Sequence, residues 1–259
     1  MLWRIGTGGL RILATCHTLQ PSDYPISSVW DAAYEDTSRA IFEADARAPE
    51  VRGVGMSSGD DTLFCQDPEL YRRVEAALAD LGQDVSSLFH SKPWYAGLRL
   101  AVALIQREGF DYGYSLDNHL RQRAEADHKT VEFLEMPRDQ FQCFELQPLA
   151  TQINHLSLSL VRQEWIVQQI HRIVNGWRRS NEAELLSAQE DYLRLFPELY
   201  QCIIIGRNYR WLPRLEQIGR EETPTLVCVG ALHCVGQQGL PALLAARGLD
   251  ALLEDSARA

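Results

Sequence analysis

Two short stretches near opposite ends of the sequence share one layout. In "TLVCVGALHC" an apolar run, Leu226 to Val229, meets Gly230, and His233 follows three residues later. In "RILATCH" the small residue is Ala14, and His17 again follows three residues later. A short apolar run of this kind reads as a strand. A small residue at its end lets neighbouring groups approach closely, and the histidine then projects from a rigid support. Ligand sites in open sheets gather at the carboxyl ends of strands. The two histidines can share a site only if their strands are neighbours. Each taken singly reads equally well as a structural histidine in a turn.

Such strands need a core around them. With 259 residues the chain is long enough to bury one. Its formal net charge of −10 and its lack of a long Lys/Arg run argue against binding a phosphate backbone, so no nucleic-acid partner is expected. No stretch approaches the roughly 18 apolar residues that a membrane span requires. The opening "MLWRIGTGGL" lacks a signal-peptide pattern, which predicts a cytoplasmic location unless a signal segment has been removed. The six cysteines form no C-x-x-C pair and read as reduced, mostly buried thiols.

The pattern along the chain mixes strands and helices. "LWRIG" and "RILATC" predict a strand pair turned by Gly6, Gly8 and Gly9. A helix is expected over 26–34 with Ser27 or Ser28 as its cap, and a strand over 39–43. Asp67, Pro68 and Gly82 bracket a further helix. "KPWYAGLRLAVALIQREG" predicts an apolar helix and "SLDNHLRQRAEAD" an amphipathic one, before "KTVEFLE" returns to strand. Apolar steps of three and four over 149–177 predict one long helix or a helical hairpin. Helical patterning then continues with breaks at Pro197 and Gly206, and "PTLVCVG" and "GLPALLAARG" give the last strand and helix. The chain is expected to be a single domain over 1–259: a first half to 146, a helical segment 147–222, and 223–259 with the second histidine.

Neutral imidazole is both the commonest ligand for first-row metals and the usual general base. A hydrolytic metal site adds a carboxylate and an open position for water. Glu43, Asp117 and Glu135 stand near predicted strand or helix ends, and each alone reads as a solvated acid. Arg207 and Asn208 could hold a carboxylate or an oxyanion, or lie on a wet helix face. His90, His119, His128, His155 and His171 lack ligand spacing, and Ser57 and Ser58 lack a nucleophile elbow.

Taken in order, these stretches resemble the TraB/GumN family, which includes the Tiki-type metalloproteases. "LWRI", "RILATCH" and "DYPISSVWDAAYEDTSRAIFEAD" are similar to its opening strands, first G-x-x-H and following Glu; "KPWYAGLRLA", "GYSLDNHLRQRA" and "TVEFLEMPRDQ" to its central part; "GRNYRWLPRLEQI" to its Arg-Asn segment; and "VGALHCVGQQGLPALLAARG" to its second G-x-x-H. The resemblance implies an α+β fold with a central mixed sheet built from two related halves and a helical middle segment. It also implies a metal-dependent hydrolase acting on peptide or small amide substrates. His17, Glu43 and His233 would hold a divalent ion (manganese, cobalt or zinc), Glu43 or Glu135 would handle the proton, and Arg207 and Asn208 would support. Alternatives on the same fold are a haem- or ligand-binding protein, with Tyr24 or Tyr114 toward the iron, and a degenerate interaction module presenting 149–177. Homo-oligomerisation is left open. Ala14 departs from the family glycine, and a required positive φ there would displace His17.

Overall fold

The computed structural model describes residues 1–45 and 47–254. The chain divides into two compact units: Met1–Asp45, Asp111–Met136 and His171–Ala259 form the first, Ala46–Phe110 and Pro137–Ile170 the second. The architecture is α+β, with a mixed sheet and many helices.

The first unit is built on six strands: β1 (Leu2–Ile5), β2 (Leu10–Thr15), β3 (Arg39–Phe42), β4 (Thr130–Phe133), β5 (Thr225–Gly230) and β6 (Ala251–Leu253). Their order across the sheet is β4-β3-β5-β2-β1-β6. β5 is hydrogen-bonded on both sides and buried along its whole length, which is why its sequence is a continuous apolar run rather than an alternating one. It runs parallel to β2 and to β3, and β3 runs parallel to β4. The two histidine-bearing strands are therefore neighbours, with Thr15 opposite Gly230. The predicted β1–β2 pair is antiparallel, and its glycines are needed for space. A Cβ on Gly9 would lie 2.6 Å from the Thr223 carbonyl oxygen.

The helix Ser28–Glu35 follows β2 and contributes Trp30 and Tyr34 to the core. The Trp30 ring packs 5.2 Å from that of Trp177, and the Trp177 indole N–H donates to the Ala14 carbonyl at 2.9 Å. Arg178 grips the buried Asp23 with two bonds, 2.6 Å from Nε and 3.0 Å from the terminal nitrogen.

The second unit has a helical core. Asp67 caps the helix Pro68–Asp80 by accepting from the Leu70 N–H at 2.9 Å, as its sequence predicts. Leu70, Val74 and Leu78 from that helix join Leu100 and Leu104 of the helix Pro93–Arg107. Leu156 of the helix Leu149–Val161 completes the cluster, with Ile153 and Leu160 packed against it.

Of the two readings of the apolar period over 149–177, one long helix is excluded: the period belongs to two helices, Leu149–Val161 and Gln163–Arg178, because Arg162 leaves helical geometry. Much of that stripe lies inside the second unit's core, so it does not form an unpartnered face. Gly206 is no break: it has helical φ of −62° and ends a π-helical turn, Gln201–Gly206, that runs straight into the helix Arg207–Ile218. β6, an edge strand against β1, had no sequence signal. Reduced thiols are found at Cys16, Cys65, Cys228 and Cys234, but Cys143 and Cys202 are in the disulfide state. Among the described residues no helix is long and apolar enough to cross a membrane.

Candidate active site at the strand ends

The parallel strands of the first unit deliver their next residues to one end of the sheet. Glu43 directly follows β3, and His17, Glu135 and His233 lie two or three residues beyond β2, β4 and β5. The two imidazoles face the same carboxylate oxygen. His17 Nε2 stands 3.6 Å from Glu43 Oε1, and His233 Nε2 stands 3.9 Å from it. Gly230 lies among them and donates its N–H to Glu43 Oε1 at 2.7 Å. A Cβ there would come within 3.1 Å of His17 Nε2 and 3.4 Å of Glu43 Oε1. Gly230 has φ of −53°, so it is glycine for room and not for an unusual dihedral.

The far nitrogen of each ring is held by a fixed acceptor. His17 Nδ1 lies 3.0 Å from Asp117 Oδ2, and Asp117 is itself steadied by Thr15 Oγ1 at 2.6 Å and Ser115 Oγ at 3.3 Å. His233 Nδ1 lies 2.7 Å from Asn208 Oδ1. The Asn208 amide nitrogen donates to the carbonyls of His233 and Gln238, at 3.1 and 2.8 Å, which leaves its oxygen as the acceptor. His233 must then carry its proton on Nδ1 and present a lone pair at Nε2. Asn208 thus serves by fixing a tautomer, and its donors are not available to an oxyanion.

Charge inside the site is dense and paired. Arg207, 7 % exposed, bonds Glu43 Oε2 and reaches Glu135 Oε1 at 2.8 Å from Nε. It also lies 3.3 Å from His233 Nε2 and 3.2 Å from the Ile203 carbonyl. The Trp211 indole N–H donates to Glu135 Oε2 at 3.0 Å, and its ring lies 4.6 Å from the guanidinium and 4.7 Å from the His233 ring.

These neighbours set the protonation states. Burial disfavours the Glu43 charge, but Arg207, His17 and the Gly230 N–H outweigh it and hold the carboxyl well below the usual range. Burial raises Glu135, and Arg207 only partly offsets it. Burial, with Arg207 and His17, lowers His233 to about 3, so the ring is neutral. Desolvation opposes charge on His17, but Asp117 and Glu43 prevail and push it up to about 9.

Among the described residues, no three His, Cys, Asp or Glu side chains stand as a ready-made metal group. The donor chemistry nevertheless suits a divalent ion: two imidazole nitrogens aimed at one carboxylate oxygen, each ring braced at its other nitrogen, which is the usual outer support of histidine ligands. What departs from an assembled site is Arg207, which bonds Glu43 and touches the His233 lone pair.

Comparison with known families matches residues 1–251 to the TraB/PrgY/gumN family. The chain belongs to that family. No match was found among curated proteins or solved structures. In this TraB/PrgY/gumN chain Ala14 sits within β2, fully buried and without positive φ, so the substitution keeps a small side chain and leaves His17 in place. All seven residues proposed from sequence — His17, Glu43, Asp117, Glu135, Arg207, Asn208 and His233 — are joined by the contacts above. Thr15, Ser115 and Trp211 were missed. Trp211 is four residues beyond Arg207 on one helix, a spacing that places both on one face. Tyr24, a haem-ligand candidate, donates its hydroxyl to the Tyr114 carbonyl at 2.9 Å, and its ring lies against His119. Ser57 belongs to the second unit, where it bonds Asp61.

Proposed function

We propose that this chain is a metal-dependent hydrolase of peptide or small amide bonds, with His17, Glu43 and His233 as the residues that would hold a divalent ion (manganese, cobalt or zinc). The observation that carries the reading is the convergence of both Nε2 atoms on Glu43 Oε1 while each Nδ1 is braced from behind. When bound, such an ion supplies a water of lowered pKa and polarises a carbonyl.

The chain's own residues divide the remaining work. Asp117 keeps a proton on His17 Nδ1 and so turns Nε2 toward the site. Asn208 does the same for His233. Glu43, held ionised by Arg207, is a poor proton acceptor and a good ligand. Glu135, raised by burial, is the better group to take a proton from water and return it to a leaving amine. Arg207, which bridges Glu43 and Glu135, is a permanent cation in the site that could offset charge developing on an oxyanion.

The test is thermal unfolding of chelator-treated protein with each of the three metals. Ligand at about a hundred times its Kd stabilises by about 2.7 kcal/mol. In a chain of this size that should raise Tm by several degrees, at roughly 2–4 °C per kcal/mol. The rise should vanish in His17→Ala and in His233→Ala. No rise with any metal, in wild type and in Arg207→Gln alike, or a rise that survives both histidine substitutions, defeats the proposal. Cleavage of a peptide library by the metal-loaded protein would then address the substrate.

A further inference from the structure

We propose that Arg207 is a latch on the ion site: its guanidinium holds Glu43 Oε2 and the His233 Nε2 lone pair that an ion would need, and binding of the ion requires it to withdraw from His233. The inference rests on the metal reading above and adds a means of controlling it. Because Asn208 fixes the proton on Nδ1, Nε2 has one lone pair and can serve one partner. In this structure that partner is Arg207, at 3.3 Å. Arginine has donors only, so the contact is an N–H on a lone pair, the same lone pair a metal would need. The same guanidinium bonds Glu43 Oε2 and so helps to compensate a buried carboxylate.

The latch has somewhere to go. Glu135 already receives Arg207 Nε at 2.8 Å and sits 5 % exposed beside the Trp211 indole. A shift of the guanidinium toward Glu135 would release Glu43 Oε2 and His233 Nε2 from the arginine while keeping it paired. The rigid fork of arginine suits this role, since its nitrogens already bridge both carboxylates. Charge repulsion between the guanidinium and a divalent ion then makes the two states exclusive rather than additive.

The experiment is calorimetric titration of zinc and manganese into metal-stripped wild type, Arg207→Gln and Arg207→Lys, with thermal melts in chelator to verify folding. The latch predicts tighter ion binding in Arg207→Gln, by about tenfold or more given the loss of a full charge beside the ion, and a smaller gain in Arg207→Lys, which keeps the charge without the fork. Equal or weaker binding in Arg207→Gln, with wild type binding normally, overturns the latch and leaves the metal reading standing. Binding in Arg207→Gln but not in wild type supports a latch that stays closed. Binding in neither defeats both ideas. Should the variants fail to fold, nitrogen NMR of wild type decides: zinc must shift the Arg207 Nε and His233 Nε2 signals together, and an unmoved Arg207 signal at saturation overturns the latch.

Discussion

His17 is the most exposed of the clustered side chains, at 52 %, and it carries the clearest pH dependence. Its pKa is pushed from 6.5 up to about 9 by Asp117 and Glu43, against desolvation. The charged ring is favoured in the folded state, so its contribution is complete below pH 6.5 and is lost as pH rises through 9. Solvent screening at a half-exposed ring keeps that contribution small. The expected outcome in metal-stripped protein is an imidazole NMR signal titrating well above 6.5, which moves down in Asp117→Asn; a His17 midpoint at or below 6.5 would contradict the geometry. His233 has the opposite sign: its ring stays neutral, and the stability this reflects fades only as pH falls from 6.5 toward 3. At this scale sequence and structure agree unevenly. The short G-x-x-H spacing located His233, and the matching A-x-x-H located His17, because both depend on a local strand end. That Arg207 could hold a carboxylate was legible, but which carboxylates it holds and the bracing of His233 by Asn208 were not, since they follow from hydrogen bonds to residues 25 or more positions away.

The elements were legible where one physical signal dominated. β5 announced itself by an unbroken apolar run, and the helix Pro68–Asp80 by its cap and proline. β6 did not, because three residues at a sheet edge carry neither period nor length. Gly206 misled because glycine's helix penalty is only about 1 kcal/mol, which tertiary packing of the helix Arg207–Ile218 overrides. The support of β2 from the helix Gln163–Arg178 was equally invisible, since it rests on one indole. Trp177 is fully buried and donates to the Ala14 carbonyl, three residues before His17. Trp177→Phe keeps an aromatic ring but removes the donor. It should lower stability by about 2 kcal/mol, the usual cost of a buried polar group left without its partner. The reading is a lower urea midpoint at unchanged m. A change under about 0.5 kcal/mol would mean the carbonyl is satisfied without the indole.

At the scale of the whole molecule, the site belongs to one of the two units. The residues described above around Glu43, namely His17, Asp117, Glu135, Arg207, Gly230 and His233, lie in Met1–Asp45, Asp111–Met136 or His171–Ala259. The sequence could not reveal this division, because each unit is assembled from separated stretches and no linker composition marks the crossings. The division has a measurable consequence. On the proposed reading, a bound ion would tie together β2, β3 and β5 at their carboxyl ends, just beyond which lie His17, Glu43 and His233. Local opening there must then become rarer, because each opening would forfeit the bound ion. The second unit's core, around Leu70, Val74, Leu100 and Leu156, contains none of His17, Glu43 and His233. Hydrogen exchange with and without saturating metal should therefore show slowed exchange at the Gly230 N–H, which already bonds Glu43, and along residues 12–15 and 226–230, with little change at those leucines and Val74. Protection gained equally in both units would mean that the ion acts through global stability and not by clasping the strand ends. Protection gained only in the helical unit would place the ion elsewhere and remove the reason for assigning His17, Glu43 and His233 to it.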